Sequence, residues 1–456
     1  MLNYIWLGLV VIAVLIGGYH NLEGASSGTL KELTEGAFTM AETAVMKIAL
    51  PLAGIMSLWL GVMRLAEKAG LIQTMARVMR PVMRWLFPDV PPQHPAMGSM
   101  LMNMAANFLG LANAATPLGI RAMKDLETLN RQPGIATDAM CTFLAINTSS
   151  IQLLPVTAVA VLAVSGSVQP YAIIGTSILA TTCSTIAGIV AVKLLARLRV
   201  YRLSSPPTGT AEAQSQSAPK ESAKEEPLPV TDPSEAAPMS SAAVGMILLF
   251  VLFFCALFVA ISFPELFHRP LTGDLQKQNG AVRSLNTLSL LATPFMLSFF
   301  PLYAALKGVK VYENFVEGAK EGFQVAVTII PYLVAILVAI GMFRGAGGID
   351  LITSWLRPAL AAVKFPPELV PMCLMRPLSG SGSLGIFSEL VKQFGPDSLI
   401  ARTAGTIYGS TETTFYVVAV YFGSIGIRRT RHSIAAGLIA DLAGIIASVI
   451  ICRMMF

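Results

Sequence analysis

Apolar residues dominate the chain in long runs that short polar segments interrupt at definite places. A helix crosses the hydrocarbon core of a bilayer in about 20 residues. Runs of that order lie at 43–63, 171–195, 242–263, 285–306, 322–343 and 433–452, and each predicts a membrane-spanning helix. Pro51 predicts a kink in the first of them. The run 2–16 is shorter; with no basic residue in 1–4 it reads as a retained helix, although Ala25-Ser26-Ser27 leaves cleavage open. Between 68 and 85, Lys68, Arg77, Arg80 and Arg84 alternate with Met75, Val78, Met79, Val82, Met83 and Trp85, which predicts an amphipathic helix in the headgroup plane.

Two regions depart from this pattern. From 96 to 155, Asn103, Asn107, Asn113, Thr116 and then Asn147, Thr148, Ser149, Ser150 and Gln152 sit among apolar residues, predicting half-helices rather than spans. Later, Arg376, Ser379, Gly380, Ser381, Gly382, Ser383 and Gly385 interrupt an apolar stretch, and Ser410, Thr411, Glu412, Thr413 and Thr414 interrupt another. Lipid cannot satisfy backbone that leaves the helix, so such breaks persist only when buried in protein or lining a wet cavity. The first predicts a flexible turn leading into a helix at 384–394, whose free amides can hold an anion. Gly380, Gly382 and Gly385 also spell GxGxxG, but no βαβ unit surrounds them. The competing reading is a helix-packing seam of small residues.

The interruptions recur in order. Glu35-Gly36-Ala37 and Arg80-Pro81 return about 280 residues later as Glu317-Gly318-Ala319 and Arg357-Pro358. Leu118-Gly119-Ile120 matches Leu384-Gly385-Ile386, and Ala187-Gly188-Ile189 matches Ala443-Gly444-Ile445. Basic residues set orientation: Arg197, Arg199 and Arg202 follow the run 171–195, whereas Arg428, Arg429 and Arg431 precede 433–452. Equivalent spans therefore run in opposite directions. The predicted fold is an all-α polytopic membrane protein of two inverted-topology repeats, with broken helices or re-entrant hairpins near the bilayer midplane. Arg344 and Arg357 fall on the outer side, against the positive-inside rule.

Residues 204–240 hold Pro, Ser, Ala and Glu with almost no large apolar side chain, and predict a disordered cytoplasmic linker. The domains expected are 1–200, the linker, and 241–456, with the second repeat starting at about 310. The N-terminus is placed in the cytoplasm and the C-terminus outside, in the cytoplasmic (inner) membrane.

Only 13% of the 456 residues are charged and mean hydropathy is +0.66, far from a soluble domain. The net charge of +6 lies in loops flanking apolar runs and orients the chain rather than binding nucleic acid. Five cysteines without CxxC spacing and four scattered histidines predict no disulfide framework, no metal site and no enzyme. No cofactor is expected beyond a sodium ion or proton. Met97, Met100, Met102 and Met104 read as adaptable packing.

Glu412 and Asp441 carry carboxyl groups where the chain crosses the membrane, at a cost of about 2.5–3.5 kcal/mol for an unpaired charge. Arg376 is the expected partner of Glu412; Asp441 could share it or take a proton or sodium ion. Substrate contact is expected at Asn113, Thr116, Asn147, Thr148, Ser149, Ser150 and Gln152, and at Arg376, Ser379, Gly380, Ser381, Gly382, Ser383, Ser410, Thr411, Thr413 and Thr414. Ion coupling is expected at Glu412 and Asp441. Structural salt bridges and interhelical hydrogen bonds are the alternative.

Segments 376–385 and 409–414, with 113–119 and 147–152, resemble spore maturation proteins A and B joined in one polypeptide, within the nucleoside-recognition Gate domain superfamily. Residues 1–200 resemble the A protein and 285–456 the B protein. Gate domains also occur in concentrative nucleoside transporters and ferrous-iron permeases, so the resemblance implies solute movement across a membrane. The expected function is secondary transport of a small polar or anionic solute, nucleoside-like, dipeptide-like or carboxylate, driven by sodium ions or protons. A non-transporting scaffold for envelope or spore maturation is the alternative, and assembly with further copies of the chain is left open.

Overall fold

A computed structural model describes residues 2–23, 29–110, 112–201, 240–267, 280–348, 360 and 365–456. All but the last residue of the expected linker, Arg202, His268, Arg357 and the side chain of Asn113 lie outside the described residues. Among the described residues six helices are long and apolar enough to cross a membrane, and each of the six predicted runs falls on one of them.

The chain begins with α1 (Leu2–Leu22) and α2 (Leu30–Glu42), which leads through a π-helical segment (Thr43–Ala49) into α3 (Leu50–Lys68). Pro51 has no N–H to offer the carbonyl of Lys47, and the helix answers by widening: Leu50 N–H reaches back five residues to Val45 O. The expected kink is thus a π segment. The short helices follow: α4 (Leu71–Leu86), α5 (Pro95–Phe108), α6 (Ala112–Glu127), α7 (Asp138–Thr148) and α8 (Val156–Val164). The long α9 (Ile173–Ala196), α10 (Ser241–Ser262), α11 (Gly280–Leu306) and α12 (Val311–Gly345) come next. Short helices return as α13 (Val370–Met375), α14 (Gly380–Phe394), α15 (Leu399–Ser410) and α16 (Thr414–Gly423), before α17 (Ser433–Met455) closes the chain. At 1.5 Å per residue none of these short helices spans a bilayer alone.

The long helices of the two halves pack antiparallel. Along α2, α3 and α12, Leu33 meets Gly345, Met40 meets Gly341, Ser57 meets Gly322 and Leu60 meets Gly318. A methyl group on Gly322 would lie 2.6 Å from Ser57 backbone, so glycine is what allows this approach. On the other side α9 crosses α17 reciprocally: Gly188 faces Ala440 while Gly444 faces Ser184, and Ser184 Oγ donates to Ala440 O (2.8 Å). One large apolar core runs through both halves, and a smaller cluster of Ala13, Leu33, Phe343 and Ala346 joins α1 and α2 to the end of α12.

Loops clasp the halves at both ends. At one end Ile135 pairs with Arg429, and Arg431 bonds Asp138 (2.7 Å), Ala136 O (3.0 Å) and Tyr201 O (2.9 Å). At the other, Asp397 accepts from Ser167 Oγ (2.7 Å), Val168 N–H (3.0 Å) and Arg402 (3.2 Å). The first end gathers the basic loops, as a cytoplasmic face would. Arg344, expected on the outer side against that rule, is committed to the buried carboxylate of Glu389.

His432, ahead of α17, is fully buried edge-on to Tyr201, and neither ring nitrogen has a partner. Burial, then the neighbouring Arg431 charge, push it down to about 4 from 6.5. The unfolded chain takes up this proton at higher pH than the folded one, so the stability contributed is complete above 6.5 and lost as pH falls from 6.5 towards 4. His432→Phe is expected to flatten the acid limb of Tm against pH in that window; an unchanged slope would assign it to other groups.

Candidate functional site

The last carbonyls of a helix have no partner within it. At the end of α15 one residue supplies them: Arg376, just after α13 and 2% exposed, donates to Tyr408 O (3.0 Å), to Thr411 O in a short contact, and to Thr413 Oγ1 (3.3 Å). Its guanidinium also lies 4.7 Å from the centre of the Tyr408 ring. The buried cation is therefore balanced by the negative end of α15 and an aromatic face.

This overturns the expected pairing. Among the described residues Arg376 forms no ion pair with Glu412 or Asp441. Its fork is taken up by orphan carbonyls, and its Nε is left without an acceptor. Glu412 faces the other half instead: its N–H donates to Thr148 O (2.8 Å) at the end of α7, and Oε2 accepts from Thr413 N–H (3.2 Å).

The glycine and serine stretch also differs from expectation. Helix α14 begins at Gly380 itself, because Ser379, in extended backbone, accepts from Gly382 N–H (3.0 Å) as an N-cap. The break is only Arg376–Ser379 long. Gly380 lets the new helix start against Thr413, whose Oγ1 would be 3.1 Å from an added methyl. Ser383 bonds back to Ser379 O (2.7 Å).

Between the halves lies a cavity of about 230 Å³. Arg376, Gly380, Tyr408, Gly409 and Glu412 line one wall; Trp59, Gly110, Gln152 and Pro155 line another. The two broken helices touch at its floor, where a methyl on Gly409 would sit 2.4 Å from Pro155 Cβ. One cation, one carboxyl group, an amide and two aromatic rings thus face an enclosed space.

Of the residues expected to touch solute, Gln152, Arg376 and Gly380 line this cavity, as does Glu412 of the ion-coupling pair. The others support it or lie apart. Asn147 joins a buried network in which Asn107 (2.8 Å) and the Tyr421 hydroxyl (3.3 Å) donate to its Oδ1, and Asn103 donates to Ala115 O (2.7 Å). Ser149 and Ser150 give their carbonyls to Thr181 Oγ1 (2.7 and 2.8 Å), holding Ser150 at φ 47. Thr148 bonds Ala145 O, Ser410 meets Ser448 (3.2 Å), Ser381 meets Ser379 (3.4 Å), and Thr116 is half-buried on α6. Asp441 is 1% exposed; Thr414 Oγ1 donates to its Oδ2 (2.6 Å), and Oδ1 has no partner.

Tyr408, Trp59, Pro155 and Tyr421 were not singled out by the sequence. Aromatics in apolar runs carry no polar signature, and only Tyr408 and Pro155, next to the breaks, offered a positional one.

Residues 49–164 and 326–428 each match the family model described as nucleoside recognition, Gate. Over 172 residues the chain is 47% identical to spore maturation protein B of Bacillus subtilis (strain 168), covering 38% of this chain and 97% of that protein. Over 190 residues it is 44% identical to spore maturation protein A of the same organism, covering 42% of this chain and 93% of that protein. The chain belongs to the spore maturation protein A and B family. Nearly the full length of both relatives is represented, as in a fusion of the two. The first Gate match takes in α3 to α8 and the second takes in much of α12 with α13 to α16, and residues of both line the cavity. No solved structure matches the chain.

Proposed function

We propose that this multi-pass membrane protein is a secondary transporter that binds one small polar or anionic solute in the cavity between its halves. The observation that carries the reading is the placement of Arg376 and Glu412 in one cavity walled by both Gate matches. The antiparallel packing of α3 with α12 and the reciprocal crossing of α9 with α17 support two inverted halves, the plan on which many transporters are built. Drug-sized ligands occupy about 300–1,000 Å³, so 230 Å³ favours something smaller. Arg376 Nε and the start of α14 would take a carbonyl or anionic group, and Tyr408 and Trp59 a flat apolar face.

The chain would lie in the cytoplasmic membrane with its N-terminus and linker inside and its C-terminus outside. That threading puts loops 128–137 and 424–432 on one side and 165–170 and 395–398 on the other, in keeping with the two clasps. The test is a thermal-shift screen of the purified protein against nucleosides, dipeptides, carboxylates and phosphates, with and without sodium, followed by uptake into proteoliposomes. At least one class is expected to raise Tm and to be accumulated. A screen and uptake panel with no response would favour a scaffold.

A further inference from the structure

A second cavity, of about 610 Å³, lies away from the first, between α4, the start of α5 and α6. Arg77 and Arg80 of α4 and Arg121 of α6 line it, with no acidic side chain among the lining residues. Among the described residues these three arginines have no ion pair or hydrogen-bond partner, whereas Arg64, Arg283, Arg344, Arg402 and Arg431 are all paired. Three like charges held around one hollow repel, and their attraction is for an oxyanion that could bridge them.

The chemistry around the arginines narrows the ligand. His94 also lines the cavity but is not a free donor. Its Nδ1 accepts from Ala96 N–H (3.2 Å), capping α5, and Nε2 faces the Thr128 hydroxyl (3.3 Å). Ser99 gives its hydroxyl to Asp125 (2.5 Å). The opening turn of α5 offers no free N–H either, because Pro95 has none and the Ala96 and Met97 amides both donate to His94, so the ligand's negative charge is left to the three arginines.

Helix α4 shows why the oxyanion should carry acyl chains. It has three stripes: Ile72, Ala76, Met83 and Leu86 are buried on the protein, Arg77, Arg80 and Arg84 form a second, and Val78, Val82 and Trp85 a third. The third is exposed, at 68%, 58% and 77%. A helix that presents an arginine stripe beside an apolar one lies along a membrane surface, with the arginines at headgroup level and the apolar stripe among the acyl chains. His94, which lines the cavity, faces Thr128 (3.3 Å) beside the loop in which Ile135 pairs with Arg429, and that arginine-bearing end is the one expected to meet the anionic cytoplasmic leaflet.

We propose that Arg77, Arg80 and Arg121 form a binding site for the phosphate of an anionic phospholipid, whose acyl chains run along the Val78, Val82 and Trp85 stripe. The site is independent of the solute cavity, and its test does not require a solute. The protein in phosphatidylcholine nanodiscs is titrated with phosphatidylglycerol and, separately, with glycerol phosphate and inorganic phosphate, and bound lipid is counted by native mass spectrometry. Phosphatidylglycerol is expected to bind and raise Tm, with the soluble phosphates inactive at the same concentration. Replacing all three arginines by glutamine removes about 1 kcal/mol of attraction per residue and should weaken lipid binding on the order of 100-fold. Arg84→Gln, on the same helix but off the cavity, should change it little. If the triple variant is unstable in phosphatidylcholine, Arg121→Gln alone should still weaken binding several-fold. Equal lipid binding in wild type and the arginine variants, or an equal effect of Arg84→Gln, overturns the site. A response to glycerol phosphate as strong as to the lipid overturns the lipid assignment in favour of a soluble phosphate.

Discussion

Replacing Arg376 by leucine is expected to destabilise the folded protein by about 2–5 kcal/mol and to abolish solute binding, whereas lysine should keep the fold and lose most of the binding. The difference follows from what the guanidinium does. It serves Tyr408 O and Thr411 O at the end of α15, and Thr413, from one planar fork. Leucine leaves those acceptors buried and unpaired. Lysine restores the positive charge against the helix end but cannot reach several acceptors at fixed angles, nor present a spare N–H as the Arg376 Nε does. Thermal unfolding in detergent reads the first effect and a binding isotherm for the solute found by the screen reads the second. Because no Arg376–Glu412 pair exists, Glu412→Gln should barely move Tm. A Tm loss in Glu412→Gln equal to that in Arg376→Leu would mean the two charges do stabilise each other. Solute binding unaffected by Arg376→Lys would remove the arginine from recognition.

Much of this architecture is legible in the sequence because a bilayer enforces it. Apolar runs near 20 residues can only be spanning helices, and polar interruptions inside them must be broken or hairpin segments, which is where α5 to α8 and α13 to α16 fall. Partner choice is not legible. Arg376 and Glu412, polar residues near one another in an apolar context, suggested a salt bridge, but the carbonyls left free by the break at Ser410 are closer at hand than the carboxylate. A pattern of side chains does not display the backbone acceptors that a helix end creates. The same blindness affects Gly380 to Gly385: glycine content argued for a turn, yet one serine cap and tertiary packing make it helix. The asparagines at 103, 107 and 147 were visible as polar residues in an apolar run, but the tyrosine that completes their network, Tyr421, lies some 270 residues from Asn147. The residue pairs that meet across the halves, such as Gly409 with Pro155, depend on the crossing of two distant breaks, which no local window contains.

Asp441→Asn is expected to make solute affinity independent of sodium and pH while leaving the solute cavity intact. The wild-type carboxyl group is 1% exposed within α17, Thr414 donates to one oxygen, and the other has no partner. Among the described residues it has no ion-pair partner, Arg376 being hydrogen-bonded to the end of α15. An unpaired carboxylate at this depth costs about 2.5–3.5 kcal/mol, so the site calls for a proton or a cation. It also lies where both breaks can sense that ion. One turn before Asp441, Gly437 packs against Thr414 and Thr148, and Thr148 O holds the backbone of Glu412 at the cavity wall. Neutralising Asp441 therefore acts on the segment that presents Glu412 to the solute, and linkage requires the solute to raise ion affinity by the factor with which the ion raises solute affinity. Such couplings amount to roughly 5–150-fold, within reach of isotherms recorded across sodium concentration and pH. Asparagine fills the same volume without the charge, and its curve should be flat. Glu412→Gln, which alters a group facing the solute, should shift affinity at every condition and keep the dependence. The reverse result, a flat curve for Glu412→Gln and an unchanged one for Asp441→Asn, would move the ion from the α17 site into the solute cavity.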